Sequence, residues 1–344
     1  MKELIKRLTE AYGPSGSEEN VVALIKEEIT PYVDEVRLDK LGSLIAVKKC
    51  LPREIVNISQ GENSGAKVML AAHMDEIGLI VTYIDKDGFL RFSSVGGVFT
   101  PRLTGIRVLF ADGKIGVINM ESRNSNINDM NKMFIDIGAT SKEDAEGKVS
   151  IGDFAVFRQD FVDLGQRVVA KAMDDRIGCV VMIEVAKRLK SSPNNVYFVF
   201  TVQEEVGLRG ARPSAYAIDP DFGIAVDVTS TGDMPEAMTM AVSLGKGPTI
   251  KVKDGSVIAH PKVRNLLTET AKELNLPYQL EILVSGGTDA GAIHTTREGV
   301  PSGVVSIPTR HLHSPSEMVD INDVEGAVQL LTATLEKDCS RLVG

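Results

Sequence analysis

Tryptophan is absent from this 344-residue chain, and cysteine occurs three times, as Cys50, Cys179 and Cys339, with no CxxC pair. Scattered thiols exclude a disulfide framework and a thiolate zinc site, and they suit a reducing cytoplasm. No apolar run approaches the ~20 residues that cross a bilayer. The run Val196 to Val202 is the length of one buried strand. The opening MKELIKRLTEAYG is amphipathic and lacks the apolar segment of a signal peptide, so a cytoplasmic location is expected. Basic charge is also scarce, with 38 Lys and Arg against 47 Asp and Glu, a net charge of −9. That balance argues against nucleic acid and against an anionic membrane surface as partners. HExxH, GxSxG, a P-loop and a GxGxxG following a strand are all missing. Zincins, α/β serine hydrolases, P-loop NTPases and Rossmann dehydrogenases lose ground accordingly.

What remains is an ordinary globular composition, 43% hydrophobic and 25% charged, long enough for two domains. Leu4, Ile5, Leu8 and Ala11 recur at helical spacing until Gly13-Pro14 stops the run. Ser15 and Glu18 then predict a capping box for a second helix ending at Ile29. Strands are predicted at 35–38, 43–48 and 68–72, the last apolar on both faces, as in a sheet covered by helices. From about Ile77 to Asp163 short β-branched segments alternate with turn signals such as Asp87-Gly88, Gly96-Gly97 and Asp112-Gly113. That texture predicts a small all-β module, with a polar, asparagine-rich loop at 121–132. Beyond Arg167 helices and strands alternate: a helix from Asp175 to Lys190, strands at 196–202, 222–226, 279–283 and 303–307, and a helix at 261–275. A last helix opens on the capping pair Asn322 and Glu325. The expected fold is α/β, a mixed sheet sandwiched by helices over 1–73 and 168–344, interrupted by an inserted β domain at 76–165.

Five histidines are present, and two of them stand with carboxylates near predicted strand ends. His73 and Asp75 follow one strand, Glu204 and Glu205 a second, and Asp227 a third; His313 comes shortly after a fourth. Asp174 and Asp175 open the long helix. In an open α/β sheet the carboxyl ends of the strands converge on one crevice. Two imidazoles and several carboxylates there form an N/O ligand set suited to Zn²⁺ or Co²⁺, and also to Mn²⁺. Taken singly, Asp174-Asp175 also reads as a helix N-cap and Glu204-Glu205 as a solvated loop. Adjacent glutamates at the mouth of a buried strand are nevertheless costly without a cation beside them. Two metals need a shared carboxylate, for which Asp174 is the natural bridge, and a carboxylate outside the ligand set can serve as general base.

The segments AAHMDEIGL (71–79), KAMDDRIGC (171–179), TVQEEVGLRGA (201–211), AVDVT (225–229), SGGTDAGAIH (285–294) and IPTRHLHSPSEM (307–318) occur in that order. They resemble the dinuclear metallo-aminopeptidases of the glutamyl and deblocking family, whose members often assemble as tetrahedral (TET-type) particles; FIDIGATSKEDAEGKVSIGD (134–153) matches in the insertion. The resemblance spans almost the whole chain. It implies a zinc-peptidase-like fold and hydrolysis of the N-terminal residue of peptides by water bridging two metals. His73, Asp174 and Asp227 are implied as ligands of one metal, and Asp174, Glu205 and His313 as ligands of the other. Glu204 is implied as general base and acid, Asp75 as the carboxylate that orients His73, and Asp174–Asp175 as a cis peptide. The β insertion is implied to mediate dimerisation, and six dimers to form a tetrahedral dodecamer. His311 departs from the pattern, standing where relatives carry an aromatic residue; His313, directly before Ser314-Pro315, keeps the ligand role. His294 is read as a site-wall or structural residue, and His260 as structural or exposed. Other readings of the same scaffold are an amidase, a carboxypeptidase or a glycoside hydrolase, and a non-catalytic assembly protein.

Overall fold

A computed structural model describes residues 1–50, 65–122 and 126–340. After helices α1 (Lys2–Glu10) and α2 (Glu19–Ile29), strands β1 (Glu35–Leu38), β2 (Leu44–Lys48) and β3 (Lys67–His73) lead into a separate sheet. That sheet contains β4 (Gly78–Ile84), β5 (Leu90–Val95), β6 (Arg107–Phe110), β7 (Ile115–Met120), β8 (Met133–Asp136) and β9 (Phe154–Phe157), with short helix α3 (Lys142–Glu146) before β9. The chain continues through β10 (Val162–Asp163), β11 (Arg167–Ala170), α4 (Met173–Arg188), β12 (Asn195–Thr201), α5 (Ala211–Ile218) and β13 (Phe222–Thr229). It closes with β14 (Thr249–Lys253), α6 (Pro261–Glu273), β15 (Gln279–Ile282), α7 (Ala290–Ile293), β16 (Ser302–Arg310), β17 (Glu317–Asp320) and α8 (Ile321–Glu336).

Among the described residues the large sheet has eleven strands, in the order β1-β2-β12-β3-β13-β16-β17-β11-β10, with β14 on β16 and β15 on β14. Its middle is parallel: β12 pairs β3, β3 pairs β13 and β13 pairs β16 in the same direction. The carboxyl ends of four strands therefore open on one side, which positions the site. Side chains alternate between the two faces. Val68, Leu70 and Ala72 of β3 join the core under α1, α2, α4 and α8, while Met69 and Ala71 face Ala211, Ala215 and Ile293 on the other side. A sheet apolar on both faces thus follows from helices on both faces, as expected of an α/β sandwich.

Strands β4 to β9 close a barrel in the order β4-β5-β8-β7-β6-β9 around its own core of Leu79, Leu90, Phe92, Val108, Ile118 and Ile135. The small all-β module appears here as a barrel entered from the end of β3. Within the asparagine-rich loop at 121–132, residues 123–125 lie outside the described residues; Glu121 N–H donates to Lys132 O, and Met130–Lys132 form a single 3₁₀ turn.

Two expected caps are corrected. Ser15 does not cap α2, whose N-cap Glu18 makes no side-chain cap bond. Ser15 Oγ instead donates to Asp75 Oδ2 at 2.6 Å, while Glu18 Oε1 accepts from Gly16 N–H and Gln203 N–H. Helix α8 is capped by Asp320, which accepts Asn322 N–H, and Glu325 pairs with Arg188. At Ser15 a tertiary partner takes the hydroxyl, whereas at α8 the cap is still local but falls two residues earlier, at Asp320.

Candidate metal centre

Each candidate side chain leaves from the carboxyl-terminal side of the parallel strands. His73 ends β3 opposite Thr201 in the register of β12, and the chain then turns at Gln203, whose φ is 56°, to present Glu204 and Glu205. Asp227 lies inside β13, paired with Ser306 of β16. Asp174 and Asp175 depart from helical geometry at the start of α4 and are joined by a cis peptide bond. His313 follows β16 in left-handed backbone, φ 55°.

Asp174 is the centre of the group. Its Oδ1 lies 2.9 Å from His73 Nε2 and its Oδ2 lies 3.1 Å from His313 Nε2. Glu205 Oε1 stands 3.4 Å from the same His313 nitrogen, and Glu204 Oε2 3.8 Å from His73 Nε2. Candidate ligand atoms of His73, Asp174 and Glu205 fall within 4.8 Å of one another, as do those of His73, Asp175 and Asp227. Asp227 therefore reaches the cluster beside Asp175 as well as beside His73. Asp175 is fully buried, and its carboxylate is already engaged with the backbone N–H of His73 (3.3 Å) and of Gly178 (3.0 Å).

Asp75 shapes the surroundings more widely than expected. His73 Nδ1 faces the backbone carbonyl of Asp75 at 3.1 Å and the Asp75 carboxylate at 3.5 Å. The two Asp75 carboxylate oxygens accept Glu204 N–H at 2.9 Å and Glu205 N–H at 3.1 Å. One buried carboxylate therefore holds the backbone of both glutamates. Glu317 was not singled out from the sequence, yet it is 2% exposed and accepts His313 N–H at 2.8 Å and Asp174 N–H at 3.0 Å. One partner, His313, lies four residues before it and the other, Asp174, 143 residues before it, and a lone glutamate carries no sequence signal of either bond.

The electrostatics follow from crowding. Burial opposes charge on His73, but Glu204, Asp174 and Asp75 outweigh it and raise its pKa well above the usual imidazole range. Burial likewise works against charged His313, but Asp174 and Glu205 push it up to about 12. Burial, reinforced by the Asp174 charge, lifts Asp227 to about 8. Burial also raises Glu204 well above the carboxylate range, with Asp227, Asp289 and Glu205 adding to it. Burial acts against ionised Asp174, but His313 and His73 hold it below the ordinary range. Buried carboxylates outnumber imidazoles here, and divalent cations would neutralise the excess.

A cleft of about 370 Å³ opens over these groups. Leu208, Val228, Leu283 and Leu312 supply apolar wall, and Lys251 reaches it while pairing with Glu281 and Asp254 at 3.0 and 3.2 Å. The remaining histidines stay apart. His294 Nδ1 faces Ala290 O within its own turn, His311 is exposed, and His260 precedes α6.

Comparisons with known proteins show what the whole chain is similar to. A family model described as M42 glutamyl aminopeptidase matches residues 54–330. A putative aminopeptidase of Acetivibrio thermocellus is 51% identical over 97% of this chain and 98% of its own. Among solved structures, aminopeptidase APDkam598 of the archaeon Desulfurococcus kamchatkensis is 41% identical with a TM-score of 0.91, covering 99% of this chain and 96% of that one. Pyrococcus horikoshii TET1 peptidase, described as able to assemble into a tetrahedron or a large octahedral shell, is 34% identical with a TM-score of 0.85, covering 97% and 99%. With a match across most of its length and these relatives along nearly all of it, the chain belongs to the M42 glutamyl aminopeptidase family and is a hydrolase acting on peptides.

Proposed function

We propose that this chain removes the N-terminal residue of peptides at a dinuclear metal centre. One metal would be held by His73, Asp174 and Asp227, and the other by Asp174, Glu205 and His313. The observation that carries this reading is the placement of the two Asp174 oxygens, one toward His73 Nε2 and the other toward His313 Nε2, as a bridging carboxylate requires. The donors are imidazole nitrogen and carboxylate oxygen, which suit Zn²⁺ or Co²⁺ best and accept Mn²⁺. Two such cations supply Lewis acidity and lower the pKa of water toward neutrality.

The chain's own groups do the rest. Glu204 takes a proton from the attacking water and returns it to the departing amine. Asp75 holds the Glu204 and Glu205 backbone and faces the Nδ1 side of His73, so base and ligands keep one relative placement. The cleft admits the first side chain against Leu208, Leu283 and Leu312. A panel of aminoacyl p-nitroanilides assayed with Zn²⁺, Co²⁺ and Mn²⁺ tests the reading. Turnover abolished by a chelator and restored by one of these ions supports it. Activity on carboxymethyl-cellulose with none on any aminoacyl substrate sinks it.

We assign the catalytic unit to residues 1–73 with 168–344, and an assembly role to the insertion at 76–165. Dimers through the barrel, and a tetrahedral dodecamer built from six of them, are supported by the likeness to the TET1 peptidase of Pyrococcus horikoshii. A cytoplasmic setting is supported by the scattered cysteines. Light scattering that finds only monomer at micromolar concentration removes the assembly.

A further inference from the structure

We infer that the inserted barrel completes the second metal position, with Gly97 as the positioning residue. This rests on the dinuclear reading above. Gly97 lies just beyond β5, and its carbonyl oxygen is 2.9 Å from His313 Nδ1. A carbonyl only accepts, so it selects the imidazole tautomer protonated at Nδ1. The lone pair is then left on Nε2, the nitrogen that faces Asp174 and Glu205. The His313 side chain is 34% exposed, so burial alone does not fix its ring.

The contact leaves no room for a side chain unless the His313 ring gives up its place. A Cβ at Gly97 would sit 2.6 Å from His313 Nδ1 and 2.7 Å from its Cε1. The preceding Gly96, with φ +78°, is equally confined, because a Cβ there would meet Ile77 Cγ2 at 2.9 Å and Glu205 Cβ and Oε2 at 3.1 Å. Two adjacent glycines of the barrel thus press on Glu205 and His313, which belong to the same proposed metal. The other histidine is oriented differently. His73 Nδ1 faces Asp75 just past the end of its own strand. The ring of one histidine is therefore oriented by Asp75 beside the large sheet, and the ring of the other by the barrel's Gly97.

The test is metal content and affinity in Gly97→Ala, by elemental analysis and zinc titration calorimetry. The wild type is expected to hold two ions per chain. The variant is expected to keep one at wild-type affinity and to bind the other about 10–100-fold more weakly. Thermal unfolding of the chelated forms should coincide, which a merely destabilising substitution would not give. Two ions at unchanged affinity in the variant overturn the Gly97 role and leave the dinuclear reading standing. One ion or none in the wild type overturns that reading itself. If the variant does not fold, solid-state ¹⁵N spectra of histidine-labelled, zinc-loaded wild type decide the matter. Resonances of His313, assigned by comparison with His313→Asn, should show a protonated Nδ1 and a metal-bound Nε2; the reverse tautomer refutes the inference.

Discussion

Glu317 accepts the backbone N–H of Asp174 at 3.0 Å with one carboxylate oxygen, while its other oxygen accepts that of His313 at 2.8 Å. Two proposed ligands from separate elements are thereby hung on one buried side chain. Glutamine is nearly isosteric but offers one acceptor, and its NH₂ would confront the second N–H. Glu317→Gln is therefore expected to weaken metal binding about 10–100-fold, comparable to other losses of outer-shell support. Zinc titration calorimetry reads this directly, and unchanged affinity would separate Glu317 from the site.

Glu204 stands 3.8 Å from His73 Nε2, with its backbone fixed by Asp75, and falls in neither of the two close ligand groups among the described residues. Glu204→Gln should keep its metal and lose hydrolysis by about 10²–10⁴-fold in kcat. Metal analysis beside turnover checks both halves. Near wild-type turnover would remove Glu204 from its role, and loss of metal would make it a ligand.

Arg176 is fully buried and donates to the main-chain carbonyls of Leu8, Ala11, Gly13 and Met74. It also faces Glu76 at 3.4 Å, whose carboxylate Lys171 holds at 2.7 Å. These groups flank the exit of the chain from β3 into the barrel. Arg176→Met leaves carbonyls without donors and Glu76 half-compensated, at a cost of about 3–5 kcal/mol. Arg176→Lys should recover little, since one ammonium cannot serve four separated carbonyls. Urea unfolding of the chelated protein measures both; a loss below about 1 kcal/mol contradicts the assignment.

Much of this was legible from local pattern. The strand expected at 35–38 coincides with β1, and the apolar runs at 68–72 and 196–202 are β3 and β12 to within a residue at each end. Buried parallel strands are continuous in sequence, so their cores announce themselves. Strand β14 did not, since Thr249, Lys251 and Lys253 interrupt its apolar residues, and Lys251 is buried only through its pairing with Asp254 and Glu281. The same holds for the site. His73 and Glu205 stand out by residue type and strand-end position and Asp174 by its place at a helix start, with their ligand roles implied only by the resemblance, whereas the bonds of Glu317 to Asp174, Ser15 to Asp75 and Gly97 to His313 join groups remote in sequence. Ser15 differs for that reason: its capping spacing is real, but its hydroxyl is turned to donate to Asp75, 60 residues on, and accepts no N–H of α2.

Glu18 gives a pH dependence with a definite sign. Burial raises its pKa from 4.5 to about 7, against the pull of Gly16 N–H and with a further push from Asp75. Folding thus favours the protonated acid. The stability it contributes is fully present below about pH 4.5 and is lost as pH rises through 7. Both N–H groups are accepted by the single oxygen Oε1, which glutamine can supply without titrating. Glu18→Gln should therefore match the wild type near pH 4.5 and exceed it increasingly up to pH 8. Allowing for solvent screening, the gain is on the order of 1–2 kcal/mol. Urea unfolding of chelated protein at the two pH values separates the outcomes. A difference that does not change with pH means that Glu18 is already ionised in the fold, and a relative loss at pH 8 means that its charge has a partner the geometry does not reveal.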